Sequence, residues 1–229
     1  MARLTWDNVG EHLYETGVDH VVLYKPNDQG VYTGGVAWNG VTAINESPSG
    51  ADSNPIYADN IKYLDLRSAE EFGATIECYT YPPEFAECNG EAIVGAGIVI
   101  GQQTRKTFGL SYRSIVGNDI KGNDYGYKLH LIYGATASPS EKAYNTVNDS
   151  PEAGSFSFEM TTTPVAVRGY KNTACVTIDS TLIADKTKLA TLEDMLYGGD
   201  NTEAQLPPIE TVFTTLGLTY DAATGTWGA

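Results

Sequence analysis

Histidine, cysteine and tryptophan are scarce in this sequence, with three copies of each in 229 residues. Cys78, Cys88 and Cys175 are odd in number and form no CxxC pair, so reduced cytosolic thiols are expected rather than a disulfide frame. Cys78 alternates with apolar neighbours and reads as core, and Cys88 reads as the packed side of a short helix. His12, His20 and His130 form no HExxH pair. The latter two sit inside strand patterns, which points to structural or solvent-facing roles rather than metal ligation. No local signature supports a Cys–His nucleophile. GxxxxGK[ST] is missing, and Gly95-Ala96-Gly97 precedes no helical pattern, so a nucleotide-binding fold has no support.

Basic residues are also few. Fourteen Lys and Arg face 29 Asp and Glu, for a net charge of −15 and a pI near 4.4. A protein that wraps nucleic acid by neutralising phosphates needs more cations than this. Such acidity serves solubility, or it lines a surface that must repel DNA, and composition does not separate the two. No run approaches the roughly 20 apolar residues that span a bilayer. The first 17 residues lack an apolar signal-peptide segment, so no leader is expected.

What is present is β chemistry. Fifteen Tyr, 24 Gly and many Thr accompany an apolar fraction of 41%, a mix that favours strands and turns. Strands are expected over residues 18–24, 36–38, 41–46 and 56–68, the last with a bulge near Asn60. In residues 72–80, Phe72, Ala74, Ile76, Cys78 and Thr80 share one face, a half-buried strand. Residues 82–88 read as a short helical turn started by proline, and residues 92–100 as a Gly-broken apolar segment under the core. Residues 106–116 and 126–134 form a hairpin with a polar tip over 117–125. Further strands are expected at 155–163, 164–170 and 173–179, with a polar connection over 135–151. The clearest helix is 185–197, with Leu189, Leu192, Met195 and Leu196 on one face and Gly198 as cap. Residues 1–17 read as a terminal arm.

Candidate chemistry is thin. Asn118-Asp119 and Asn123-Asp124 carry oxygens suited to calcium but lack EF-hand spacing, and turn chemistry accounts for them. Glu70-Glu71 and Glu84 with Glu87 are carboxylate pairs of the kind glycosidases use, although adjacent acids in an acidic chain are usually solvated.

The stretch that organises the chain is 37–90, where a long polar loop separates two strand-like runs. That loop comprises Asn45, Glu46, Ser47, Pro48, Ser49, Gly50, Ala51, Asp52, Ser53, Asn54 and Pro55, and it has no apolar face of its own.

The same stretch carries a resemblance, together with YETGVDHVVLY (14–24), GQQTRKTFGLSYR (101–113), residues 122–153 and TTTPVAV (161–167). Over roughly residues 2–199 the chain closely resembles the major tail proteins, or tail tube proteins, of long-tailed bacteriophages and prophages of Gram-positive bacteria. The resemblance implies a mainly β fold, an antiparallel β-sandwich or barrel of the tail tube type with one flanking α-helix and a long projecting loop. Residues 1–199 would form the tube domain, with residues 200–229 an extension of open role. It implies rings of six copies that stack into a hollow tube, with residues 45–55 as the inter-ring stacking loop. The partners would be further copies of the chain, the tape measure protein, and the tail terminator and adaptor proteins. DNA would pass through the lumen without specific binding, and no membrane would be involved. The setting would be the virion tail, assembled in the host cytoplasm, and the family offers no catalytic residue, metal or cofactor. An acidic lumen would let DNA slide, so lumen-facing positions are expected to be net negative. The competing reading is a monomeric β-sandwich module that binds carbohydrate or protein through exposed Trp and Tyr. A hydrolase using Glu70 or Glu71 is a third.

Overall fold

The structure, a computed structural model, describes residues 3–144, 146, 153–200 and 202–228. The chain begins with β1 (Leu13–Pro26), β2 (Tyr32–Ala37) and β3 (Val41–Glu46), and then leaves the main sheet. Two short ladders follow, β4 (Ser49–Gly50) with β7 (Glu70–Glu71) and β5 (Ser53–Ala58) with β6 (Ile61–Arg67). The chain returns through β8 (Gly73–Cys78), a 3-10 turn at Pro83–Phe85, and the hairpin β9 (Ala92–Gly95) and β10 (Ile98–Ile100). Next come β11 (Phe108–Asn118), β12 (Gly122–Ala137), β13 (Phe156–Thr162) and β14 (Cys175–Asp179). Helices α1 (Lys186–Tyr197) and α2 (Ile209–Thr215) precede a last hairpin, β15 (Thr219–Asp221) and β16 (Thr226–Gly228).

The main sheet is antiparallel, in the order β2-β1-β11-β12-β13-β8-β3, with β14 also paired to β12. It curls because β12 changes partners along its length. Lys128 to Ile132 pair with β14, whereas Ala135 to Ala137 pair with β13. Gly134 sits at the change with φ +61°, and a Cβ there would lie 2.4 Å from the Thr163 carbonyl oxygen, so the bend requires glycine. The curl brings the β3 edge back over β1 and β11. The Tyr112 hydroxyl on β11 donates to Glu46 Oε1 on β3 at 2.5 Å.

Inside the curl lies one core, with Val21, Leu23, Phe108, Leu110, Ile76 and Phe158 among its buried members. Phe85 on the 3-10 turn plugs it, with ring centroids 4.5 Å from Trp38 and 5.0 Å from Phe158. A second core covers the outer face of the same strands. Val22, Tyr24, Leu129, Leu131 and Tyr133 meet Leu189, Leu192, Leu196, Ile209 and Val212 from the two helices. Successive strand residues point to opposite faces, so β1 is apolar without interruption from Val21 to Tyr24 because both its faces are covered. The Tyr24 hydroxyl is satisfied there by the Leu196 carbonyl at 2.7 Å.

The mainly β, antiparallel class is as the sequence predicts. Helix α1 is too, capped by Asp185, whose carboxylate accepts from the Thr187 and Lys188 N–H groups, and ended at Gly198. Cys78 and Cys88 are buried, and desolvation pushes the Cys88 thiol up to about 11.

Several expectations change. One flanking helix becomes two. The stretch after Gly199, whose role the sequence leaves open, packs on the sheet and α1 through Leu206, Ile209 and Val212 and ends in the β15–β16 hairpin. Helix α2 holds three Thr, one Ile and one Val in seven residues, a composition of low helix propensity that packing overrides. Residues 56–68 are two strands rather than one bulged strand, because Asp59 and Asn60 both take positive φ and close a two-residue turn. Residues 92–100 form an exposed hairpin instead of lying under the core. Residues 164–170 reduce to one bridge, Val165 to Thr173. The tip between β11 and β12 shortens to 119–121, since the strands extend through the rest of its polar sequence. Of the polar connection, residues 145 and 147–152 lie outside the described residues.

Candidate assembly surface

Residues 45–55 are the ascending side of a hairpin arm rather than a loop. Asn45 and Glu46 end β3, and the Ser47 N–H donates to the Gly73 carbonyl at 2.8 Å, which places Pro48 at the foot of the arm. Ser49 and Gly50 pair with Glu71 and Glu70. Ala51 and Asp52 bridge the two ladders, with the Ala51 N–H on the Ala69 carbonyl and the Asp52 N–H on Ser68 Oγ. Ser53, Asn54 and Pro55 begin β5, opposite Arg67, Leu66 and Asp65. Polar side chains do not prevent a ladder, because its bonds come from the backbone. Gly50 has φ +84°, and a Cβ there would sit 2.3 Å from the Ala69 carbonyl oxygen, so the two halves of the arm can approach closely.

The outer part of the arm is amphipathic. Directly opposed residues share a face. Ile56 opposes Leu64, Asn54 opposes Leu66 and Ala58 opposes Ile61, which puts an apolar stripe on one side. Ser53, Pro55, Tyr57, Lys62, Asp65 and Arg67 occupy the other, where Lys62 and Asp65 pair at 3.1 Å. Ile56, Ile61, Leu64 and Leu66 are 40, 63, 37 and 52% exposed. An isolated two-stranded ribbon is marginal in water, and apolar surface held out on one marks an interaction site. Sequence reasoning stopped this feature at Pro55 and missed these four residues. The available signal was Asp59-Asn60 flanked by apolar residues.

The arm is anchored at its root. Glu46 Oε1 accepts from Tyr112, lies 3.4 Å from His130 Nδ1, and borders a shallow groove with Glu15 and Ser114. His130 stacks on Tyr112 with ring centroids 4.6 Å apart, and its Nε2 is 2.9 Å from Ser114 Oγ. A Ser–His–Glu series resembles a nucleophile relay, but Ser114 lies mid-strand, with Val18 and Lys128 opposite it. Its neighbouring backbone N–H groups belong to the ladder and face no oxyanion. What the cluster does is tie β3, at the foot of the arm, to β11 and β12.

The hydrogen bond with His130 holds the Glu46 carboxyl below its usual range, opposed by partial burial and reinforced by Tyr112. A depressed folded-state value means that the stabilisation is present above the ordinary glutamate pKa and is lost as pH falls through the lowered value. Glu46→Gln is therefore expected to cost about 1 kcal/mol near neutral pH, a low figure for a charged hydrogen bond because the side chain is 43% exposed. The difference should shrink as pH falls below the ordinary glutamate range, which urea melts at about pH 7 and in steps down from about pH 4 would measure. A cost that stays constant over the whole series would show that the carboxylate charge plays no part.

The other singled-out residues have structural partners. Both Asp119 carboxylate oxygens accept from the Gly10 N–H at 3.0 Å, and Asn123 Oδ1 accepts from the Tyr14 hydroxyl at 2.9 Å. These oxygens hold the N-terminal segment. Glu70 and Glu71 pair in the arm, and Glu87 binds Lys106 at 3.1 Å and Lys25 at 3.5 Å. Glu84 is the middle residue of the 3-10 turn. His12 lies 3.3 Å from Asp119, and His20 lies 3.0 Å from Asp19. Cys175 is half-buried at the start of β14. Among the described residues, no group of three or more His, Cys, Asp or Glu could hold a metal ion, and no helix is long and apolar enough to cross a membrane.

No protein-family model matches the chain, and comparison with curated proteins gives no match.

Proposed function

We propose that this protein is a structural subunit of a phage tail tube, forming rings that stack into a hollow conduit for viral DNA. The observation that carries the proposal is the arm of residues 49–71. It stands outside both cores and holds an apolar stripe exposed, which is economical only if another chain covers it. The sequence resemblance over most of the chain supports the same reading, as does the mainly β, antiparallel fold. A ring supplies partners for sheet edges that would otherwise aggregate. Head-to-tail contacts that close by rotation make rings, and repetition along the axis makes a filament. A chain of net charge −15 suits a wall past which DNA slides without being held. The tape measure, terminator and adaptor proteins would be its neighbours in the virion tail.

A carbohydrate-binding module would present coplanar aromatics in a cleft. Trp38 is instead buried, and Trp227 meets Phe213 and Tyr220 nearly edge-on. Electron microscopy of the purified protein over a rising concentration series tests the proposal. Rings or tubes are expected, and a particle that stays monomeric throughout would overturn it.

A further inference from the structure

A second hairpin also exposes apolar surface. On β9 and β10, Ile93, Val94, Ile98, Val99 and Ile100 are all exposed, Val94 to 65%. With the arm, this hairpin accounts for half of the large apolar side chains left exposed among the described residues.

The two hairpins belong to opposite ends of the sheet. The arm enters β8 at Gly73, whereas the 3-10 turn and β9–β10 follow from its other end at Cys78. Strand β1 spans the same distance. Glu15 borders the groove at the arm root, and Lys25 lies 3.5 Å from Glu87 beside the 3-10 turn. Two bulges shorten this stretch of β1, and the matching run of about eight residues of β11 sets a span of about 26 Å. Each apolar face is exposed in the same molecule, so neither covers the other.

Their charges are complementary. Residues 49–71 carry five acids (Asp52, Asp59, Asp65, Glu70 and Glu71) against Lys62 and Arg67. At the foot of β9–β10, Lys25, Arg105 and Lys106 line a groove around one acid, Glu87. This is a locally basic surface on a strongly acidic chain, and opposite potentials steer and orient association.

We infer that the β9–β10 hairpin receives the apolar face of the arm from a second copy of the chain, joining copies head to tail. The inference deepens the tube reading and rests on it for the larger assembly. Two ribbons packed face to face would bury the apolar stripe of the arm against one face of the hairpin, with the acidic arm beside the basic rim. A contact between different patches at opposite ends leaves a free arm and a free hairpin on every joined pair, so it propagates along one direction.

The test uses two double variants of the full chain, Leu64→Asp with Leu66→Asp on the arm and Ile98→Asp with Val99→Asp on the hairpin. The second places charge on both faces of β10, since neighbouring strand residues point oppositely. All four sites are exposed, so unchanged thermal midpoints are expected. Sedimentation and electron microscopy should show complete loss of stacking in each variant alone. An equimolar mixture should recover a single junction, because each variant retains the surface that the other lacks, and growth should stop at two joined units. If the parent stacks and the hairpin variant stacks equally well, the receiving surface is wrong while the tube reading stands. Stacking that survives in the arm variant likewise removes the arm from the junction. Head-to-tail chains of the parent without rings or tubes would keep the junction and overturn the tube reading. A parent that stays monomeric at every concentration overturns both.

Discussion

Replacing residues 49–71 by a two-residue Asn-Gly turn is expected to abolish tube formation while leaving the thermal midpoint of the subunit unchanged. The replacement is feasible because Ser47 already bonds to Gly73 across the foot of the arm at 2.8 Å. A short turn can therefore close β3 onto β8 without moving either strand. Nothing in the removed segment belongs to either buried cluster. The anchoring residues Glu46, Tyr112 and His130 all remain. Loop-closure entropy changes slowly with length, so the shorter connection costs little and also removes exposed apolar surface. Circular dichroism melts would follow the fold, and electron microscopy would follow the tubes. Normal tubes from the deletant would end the assembly role of the arm, and a lowered midpoint would show that the arm supports the core.

The complementary result is expected from Phe85→Ala, which should cost about 3–5 kcal/mol, in the range for emptying a buried aromatic site. Phe85 is fully buried, with Trp38, Phe158 and Phe108 around it and Tyr81 at 6.1 Å. The surrounding rings come from several strands and a connector, which limits collapse into the cavity. The 3-10 turn has three residues and no side-chain cap at its start, so its ring is a principal attachment to the sheet. Denaturant melts would give the loss of stability. Hydrogen exchange should show that residues 83–100 open more readily than β11 or β12. A cost below about 1 kcal/mol would mean that neighbours refill the site, and the plug would lose its importance.

Together the two substitutions separate what builds the subunit from what joins subunits. The sequence shows this division unevenly. Strand β8 is legible because Ala74, Ile76 and Cys78 alternate with half-buried residues, as expected for one covered face. Helix α1 is legible from Leu189, Leu192 and Leu196 with their caps. The arm is half legible. Its polar ascending side stands out, but Asp59-Asn60 reads equally as a bulge until Ile61 is seen opposite Ala58. The exposed hairpin of β9 and β10 misleads, because five apolar residues near glycines resemble a core segment by composition.

By itself the sequence determined the class of this protein. Alternating apolar positions, abundant tyrosine and glycine, and one capped helix specify antiparallel strands with little helix, because those signals act over a few neighbouring residues. The tertiary structure decided which faces are covered. Whether Ile56, Leu64 and Leu66 lie in a core or out in solvent depends on what packs against them, and no local pattern encodes that. The same holds for α2, whose Ile209 and Val212 become helical and buried through contact with α1 and the sheet. It also holds for Glu46: Ser114 and His130 already meet in the β11–β12 hairpin, but Glu46 on β3 reaches them only when the sheet curls.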